Sequence, residues 1–560
     1  MIIWTSLLSK ENLGHWSASK CGIRILFFRN SLCSLDEFPI SPSDSGMMRI
    51  LKIIFISLFV IANGFASERP NVLLVMADDM GYSDIGCFGG EIRTPHLDSL
   101  ANEGIRFTNF YSENMCWVSR ASMMTGVYHR TSIRDGALHP SCLTLAEALK
   151  SEGYRTGIMG KWHLGDYPDS RGFDQFYGIL GGASSFFAPF GLKRNRNSID
   201  HEFMDDPDYY FTQAIGKEAI AFLRETSSED PFFLYLPFTA AHWPLHAPAA
   251  AIEKYHGKFA AGWDNLRIQR LKRMKELGVI DSKVVLSPRN PKVPAWKNEP
   301  NKAWQERRME VYAAQVTAMD EVIGKIIDHL RKSGKLEDTL TFFTIDNGGC
   351  HIEYQPNRKG DYLPEKTRDG QPMKPGNLSD IMPGSEITYQ SYGHGWANLS
   401  NTPFRLFKQY DHEGGIRTPM IAHWPRRIKE SGKISKTLSH LIDLMPSILH
   451  ATRGKSAEKF QGSPRINLDG RSILPSLLGK KQKDPAFLFF HHARGKAIRF
   501  GKWKLVFNRD GKKNARWELY DLEKDPTELN DLTTTYPERV KRLSSLWNEW
   551  EKNQVYRSSQ

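Results

Sequence analysis

The stretch RPNVLLVMADDMG, residues 69–81, decides how this chain is read. From Asn71 to Met76 it is an unbroken apolar run, the texture of a strand buried on both faces of a parallel sheet. Two adjacent carboxylates, Asp78 and Asp79, stand at its C-terminal end. In open α/β sheets that edge is where ligands bind.

Working outward, RTPHLDSLANEGIRF (93–107) predicts a helix with Thr94 as cap and Pro95 in its first position. Leu97, Leu100 and Ala101 share one face, and Gly104 ends it. The same grammar recurs in LTLAEALKSEGYRTGIMGKWHLG (143–165), with a helix from about Leu145 to Glu152 and a strand from Thr156 to Met159. DPFFLYLPFTAAH (230–242) and DTLTFFTIDNGG (338–349) are two further buried strands that end in polar residues. Strands alternating with helices predict an α/β fold whose large, mixed but mostly parallel sheet is sandwiched by helices.

Residues 251–310 read as a polar, Lys/Arg-rich excursion with some helix and 351–400 as loops, with a helix near Lys436–His450. From Gly454 the texture changes to short antiparallel strands and an amphipathic helix over Pro537–Lys552. The expected organisation is a catalytic domain over 67–453 and an α+β antiparallel-sheet subdomain over 454–560. Upstream, Arg49 and Lys52, the apolar run Ile53–Ala62 and Gly64-Phe65-Ala66 form a secretory leader over 48–66. Translation is expected to start at Met47 or Met48, and the product to be periplasmic or secreted, with no membrane span after cleavage.

The 560 residues are 40% hydrophobic and 25% charged, with a net charge of +12 and a pI of about 9.2. Such a surface suits anionic ligands but does not choose among sulfated glycans, nucleic acids and lipids. Past the leader four cysteines remain, Cys87, Cys116, Cys142 and Cys350, with no CxxC pair. That excludes a disulfide scaffold and a zinc site built on paired cysteines.

Four strand ends carry chemistry: Asp78 and Asp79; Lys161 and His163; His242; Asp346 and Asn347. Lys161 and His163, two residues apart on an extended segment, should point the same way. Carboxylate and amide oxygens together suit a hard divalent cation such as Ca²⁺ or Mg²⁺. Cys116 is expected in a loop, with a helix starting near Ser119 whose N-terminus favours an anion and whose Arg120 suits an oxyanion.

Taken in order, these motifs resemble the formylglycine-dependent sulfatases of the alkaline phosphatase superfamily. The family signature is Cys (or Ser), any residue, Pro, a small residue, Arg and, shortly after, Thr-Gly. Here it reads Cys116-Trp117-Val118-Ser119-Arg120 and Thr125-Gly126. ADDMGYSDIGCFGG, GKWHLG, HWPLHAP, TIDNGG, FKQYDHEGGIRTPMIAHWP and WELYDLEKDPTELNDL follow the family order, over about residues 69–552.

The resemblance implies that a formylglycine-generating enzyme oxidises Cys116 before folding, and that the aldehyde hydrate is the nucleophile. It implies one Ca²⁺ held by Asp78, Asp79, Asp346, Asn347 and the group made from Cys116. It places Arg120, Lys161, His163, His242 and Lys408 around the sulfate. Asp346 would take a proton from the hydrate, His242 would protonate the departing alcohol, and His163 would serve as base when the sulfate is eliminated. The substrate class it implies is a sulfated carbohydrate or aryl sulfate. Val118 stands where the family has Pro, occasionally Ala; a β-branched residue accepts the extended conformation that a modifying enzyme reads. Two other readings are a phosphodiesterase or phosphonate hydrolase of the superfamily and an unmodified protein that binds sulfated glycans without turnover. His246, His394 and His412 lie in or beside the motifs and are expected to be structural or solvated.

Overall fold

The structure, a computed structural model, describes residues 69–559 apart from 228, 361, 453–458, 461–462, 465, 494 and 509–514. The leader assigned to 48–66 and the residues before it lie outside the described residues.

Of the eleven strands of the main sheet among the described residues, seven are long. They are β1 (Asn71–Ala77), β2 (Ile105–Tyr111), β3 (Arg155–Lys161), β4 (Gln175–Ile179), β5 (Phe232–Pro237), β6 (Thr339–Ile345) and β7 (Arg417–His423). Across the sheet they run β2-β7-β6-β1-β5-β3-β4. β6, β1, β5, β3 and β4 pair in parallel, and only β7 runs against its neighbours β6 and β2. The C-termini of β1, β2, β3, β5 and β6 and the N-terminus of β7 therefore share one edge. β1 pairs with β6 from Asn71 opposite Thr339 to Ala77 opposite Ile345, which brings Asp78 out beside Asp346.

Among the helices, those used below are α1 (Pro95–Glu103), α2 (Cys116–Thr125), α3 (Leu145–Ser151), α4 (Phe211–Glu225), α5 (Lys302–Lys332), α6 (Leu444–Ala451) and α7 (Pro537–Ser559). β1 is apolar from Val72 to Ala77 because both faces are covered. Leu73 and Val75 pack with α1, α4 and α5, while Val72, Leu74 and Met76 pack with α2, α3 and α6.

Two local expectations are corrected and one is sharpened. The excursion at 251–310, expected to carry some helix, contains the helix Gly262–Glu276 and ends in α5, a helix of 31 residues. Its buried stripe, Met309, Tyr312, Val316, Met319, Ile323, Ile326 and Leu330, repeats every three or four residues inside a charged sequence. Near Lys436–His450 the helix begins only at Leu444, because Ser439 and His440 pair in parallel with Phe110 and Tyr111 of β2. Thr94 does not cap α1 through its side chain. Its hydroxyl accepts from the Gly86 N–H at 2.8 Å, and Asp320 of α5 accepts from the His96 and Leu97 N–H groups at 3.2 and 2.8 Å.

At the C-terminus β8 (Phe487–His492), β9 (Gly495–Phe500), β10 (Trp503–Asn508) and β11 (Arg516–Asp521) form an antiparallel sheet in sequence order. Leu543 and Trp547 of α7 close one face over Ile498, Leu505 and Leu519. On the other side, fully buried Lys504 donates to Glu413 at 2.8 Å and reaches Glu528 at 2.9 Å. Burial pushes the Glu413 carboxyl up, but Lys504, then Arg417 and Arg499, hold it at about 2.

Lys504→Met should cost about 3–5 kcal/mol in chemical denaturation, because it removes the cation that two buried carboxylates share. The folded pKa of Glu413 lies below its ordinary 4.5, so its contribution is complete above that pH and is lost as pH falls towards about 2. The acid limb of the stability curve should accordingly flatten in the variant.

Candidate active site

Every residue singled out at the strand ends reaches one buried cluster. Asp78 and Asp79 follow β1, Lys161 ends β3, His163 lies two residues beyond it, His242 follows β5, and Asp346 and Asn347 follow β6. Lys408 comes from the loop before β7.

Cys116 is the first helical residue of α2, with Met115 as cap, so the helix starts three residues earlier than expected. The Ser119 N–H bonds the Met115 carbonyl at 3.0 Å, and the Ser119 hydroxyl donates to the Asp346 carbonyl. The positive end of α2 is therefore at Cys116 itself. Val118 is third in the helix, where a first-turn N–H has no intrahelical partner, so Val in place of Pro changes no hydrogen bond of the helix.

Charges interlock around the thiol. Lys161 Nζ donates to Asp78 Oδ2 at 2.5 Å, and Lys408 Nζ to Asp79 Oδ1 at 2.6 Å. Arg120, fully buried, donates to the Lys161 carbonyl at 3.0 Å and to Asp346 Oδ2 at 3.2 Å, and lies 3.5 Å from Asp78. His163 Nδ1 lies 3.5 Å from Cys116 Sγ, and Lys408 Nζ donates to the sulfur at 3.9 Å. His242 Nε2 stands 3.2 Å from Asp79 Oδ2, and Asn347 donates to Asp79 Oδ1 at 2.8 Å.

The backbone is strained here. Asp79 and His163 have φ of 60°, and Leu406 and Gln409, flanking Lys408, have φ of 67° and 75°. The extended spacing expected to align Lys161 with His163 does not exist, because the chain turns into the left-handed region at His163; both side chains reach the cluster by separate routes. Gly348 lets two loops touch: a Cβ there would fall 1.8 Å from the Gly414 carbonyl oxygen.

Burial pushes the Cys116 thiol up, so it stays protonated at neutral pH. Burial, then Lys161 and Arg120, push His163 well down, and burial takes His242 to about 4 against the pull of Asp79. Both imidazoles are neutral. Burial and then Asp78 raise the Asp346 carboxyl. Burial alone would raise Asp78 and Asp79 as well, but Lys161 chiefly holds the first below its ordinary value and Lys408 the second.

Three buried oxygens, Asp78 Oδ1, Asp79 Oδ2 and Asn347 Oδ1, have no hydrogen-bond partner among the described residues. Orphaned acceptors at full burial are costly, and a hard cation is what oxygen donors of this kind accommodate. Ligand atoms of Asp78, Cys116 and Asp346 lie within 4.8 Å of one another, as do those of Asp78, Asp79 and His242. The donor set fits a hard divalent cation.

The other histidines are engaged elsewhere. His246 contacts the Thr388 carbonyl at 2.5 Å, and buried His412 contacts Glu518 of β11 at 3.1 Å. His394, half-buried, lies 3.5 Å from Glu353. Trp243, beside His242 with ring centroids 4.3 Å apart, was not singled out from the sequence; its place next to a strand-end histidine was the available signal.

Comparison with known proteins gives the family of the chain. A family model described as Sulfatase matches residues 70–455, and one described as N-sulphoglucosamine sulphohydrolase, C-terminal, matches 404–554. The chain is 32% identical over 531 residues to an uncharacterized sulfatase of Schizosaccharomyces pombe, covering 87% of this chain and 94% of that protein. It is 31% identical over 447 residues to an arylsulfatase of Klebsiella aerogenes, covering 74% and 94%. Among solved structures, Ps i-CgsB in complex with k-i-k-neocarrahexaose superposes with a TM-score of 0.61 at 24% identity, covering 86% of this chain and 93% of that one.

Proposed function

We propose, from the premise that this chain belongs to the sulfatase family and is a sulfuric ester hydrolase, that it removes sulfate from a carbohydrate using a formylglycine made from Cys116 and one Ca²⁺. The observation that carries this reading is the meeting of three orphaned oxygens, three buried cations and the Cys116 side chain at the positive end of α2. Asp78, Asp79, Asp346, Asn347 and the modified Cys116 would hold the ion. When bound, the ion and the aldehyde hydrate would supply an acidified hydroxyl as nucleophile near neutral pH.

The chain's own residues do the rest. Lys161, Arg120 and Lys408 face the sulfate oxygens and stabilise charge that builds on them. Asp346, held by Arg120, accepts a proton from the hydroxyl that Cys116 Sγ stands in for. His163 Nδ1 is in reach of the same position and, being neutral, can take a proton from it. His242, whose Nδ1–H is held by the Trp243 carbonyl at 2.7 Å, would protonate the departing alcohol through Nε2 once the anionic ester has drawn a proton onto it, with Lys408 beside it. An unmodified thiol, protonated by burial, would be a poor substitute.

The carbohydrate substrate is supported by the C-terminal match, described as a sulphohydrolase of an amino sugar, and by the oligosaccharide named with the solved neighbour. The leader would take the protein to the periplasm or outside; among the described residues no helix is long and apolar enough to cross a membrane. The 67–453 and 454–560 domains would act together, since the second supplies Lys504 to Glu413 just ahead of β7.

Turnover of 4-nitrophenyl sulfate and of a matched phosphate diester tests the reaction class. The sulfate ester should be hydrolysed about 10²-fold faster or more, and faster diester turnover would overturn the proposal.

A further inference from the structure

We infer that Arg358 forms a second anion subsite, one aromatic ring away from His242, that recognises a further sulfate or carboxylate on the same glycan. This deepens the sulfatase reading and rests on it only for the position of the reacting ester. The Arg358 guanidinium lies over two rings, 5.0 Å from the Trp243 centroid and 5.1 Å from that of Tyr354. Its Nε donates to the Tyr362 hydroxyl at 2.9 Å. Trp243 in turn packs against Tyr354, Tyr362 and Tyr389 and also against His242.

This cation has aromatic faces and one hydroxyl for company, and among the described residues no carboxylate pairs with it. Glu353, five positions earlier, is taken by Arg308 at 2.9 Å and by the His394 N–H at 2.9 Å. The two terminal nitrogens of Arg358 make no hydrogen bond to any described residue, and the side chain is half-buried rather than free in water. Cation–π contacts orient a guanidinium but do not use its forked N–H donors. Those donors suit a sulfate or carboxylate, which they can hold in two parallel charge-assisted bonds. Its place against Trp243, next to the residue that would protonate the leaving alcohol, puts the fork on the leaving-group side of the scissile ester. Polysulfated or uronate-bearing sugars are thus favoured over singly charged ones.

The test is direct titration of the whole chain at 0.15 M NaCl with two probes, inorganic sulfate and sucrose octasulfate, in wild type, Arg358→Gln and Arg358→Lys. The readout is the ratio of the two affinities. It should fall by about tenfold or more in Arg358→Gln and by less in Arg358→Lys, which keeps the charge and loses the fork. An unchanged ratio, no octasulfate binding by wild type, or an equal fall in both affinities overturns the inference, the last because it would mark a merely structural arginine. If Arg358→Gln does not fold, Tyr362→Phe, which removes the Nε partner, should lower the ratio in the same direction. If the protein fails to hydrolyse 4-nitrophenyl sulfate, the sulfatase reading falls while this ratio still decides the role of Arg358.

Discussion

Cys116→Ala should lower kcat on 4-nitrophenyl sulfate by about 10⁴-fold or more while leaving the thermal midpoint nearly unchanged. The side chain is small and sits at the helix start, so its loss opens little space. Chemically it is the point on which His163 and Lys408 converge, at 3.5 and 3.9 Å. Because burial keeps the thiol protonated, unconverted wild type should be nearly as inactive as the variant. Activity should then scale with the fraction of aldehyde found by mass spectrometry in the tryptic peptide Phe107–Arg120. Full activity with an intact thiol would sink the formylglycine reading. Cys116 is 4% exposed, so a modifying enzyme added after folding should convert little, and one co-expressed with the chain should convert much more.

Removal of the divalent ion should be comparably severe. Chelation, or Asp79→Asn, is expected to lower kcat/KM by about 10³-fold. Chelation should also lower the thermal midpoint, since an ion bound at a thousand times its dissociation constant stabilises the folded state by about 4 kcal/mol. The physical reason is the crowding of Asp78, Asp79 and Asp346 with three oxygens of the cluster unpartnered. Without the cation Asp346 is driven towards its protonated form, which disarms it as a base. Asp79→Asn also removes the charge that Lys408 pairs with at 2.6 Å. Added Ca²⁺ should restore both activity and midpoint to the chelated wild type and neither to the variant. Activity and midpoint that both ignore chelation would sink the metal assignment.

Much of the site was legible before any coordinates. β1, β5 and β6 announce themselves as apolar runs, and polar residues packed against the ends of such runs are rare enough to draw the eye. What escaped was what depends on a partner. The start of α2 at Cys116 goes with a Ser119 hydroxyl that bonds the carbonyl of Asp346, and α5 hid because its first turns, Lys302–Arg308, are mostly polar and charged. Arg358 looked like any other of the 75 Lys and Arg residues.

By itself, then, the sequence determined the α/β class, the strands, and which oxygens, cations and imidazoles stand at their ends, because strand and helix periodicities are local properties of the chain. Tertiary structure decided who pairs with whom and in what protonation state. Asp79 meets Asp346 across 267 positions, His163 is neutral because Lys161 and Arg120 share its burial, and His412 is spent on Glu518. Desolvation and charge pairing are properties of a place rather than of a residue, and that place exists only once β1, β3, β5, β6 and the loop before β7 share one edge.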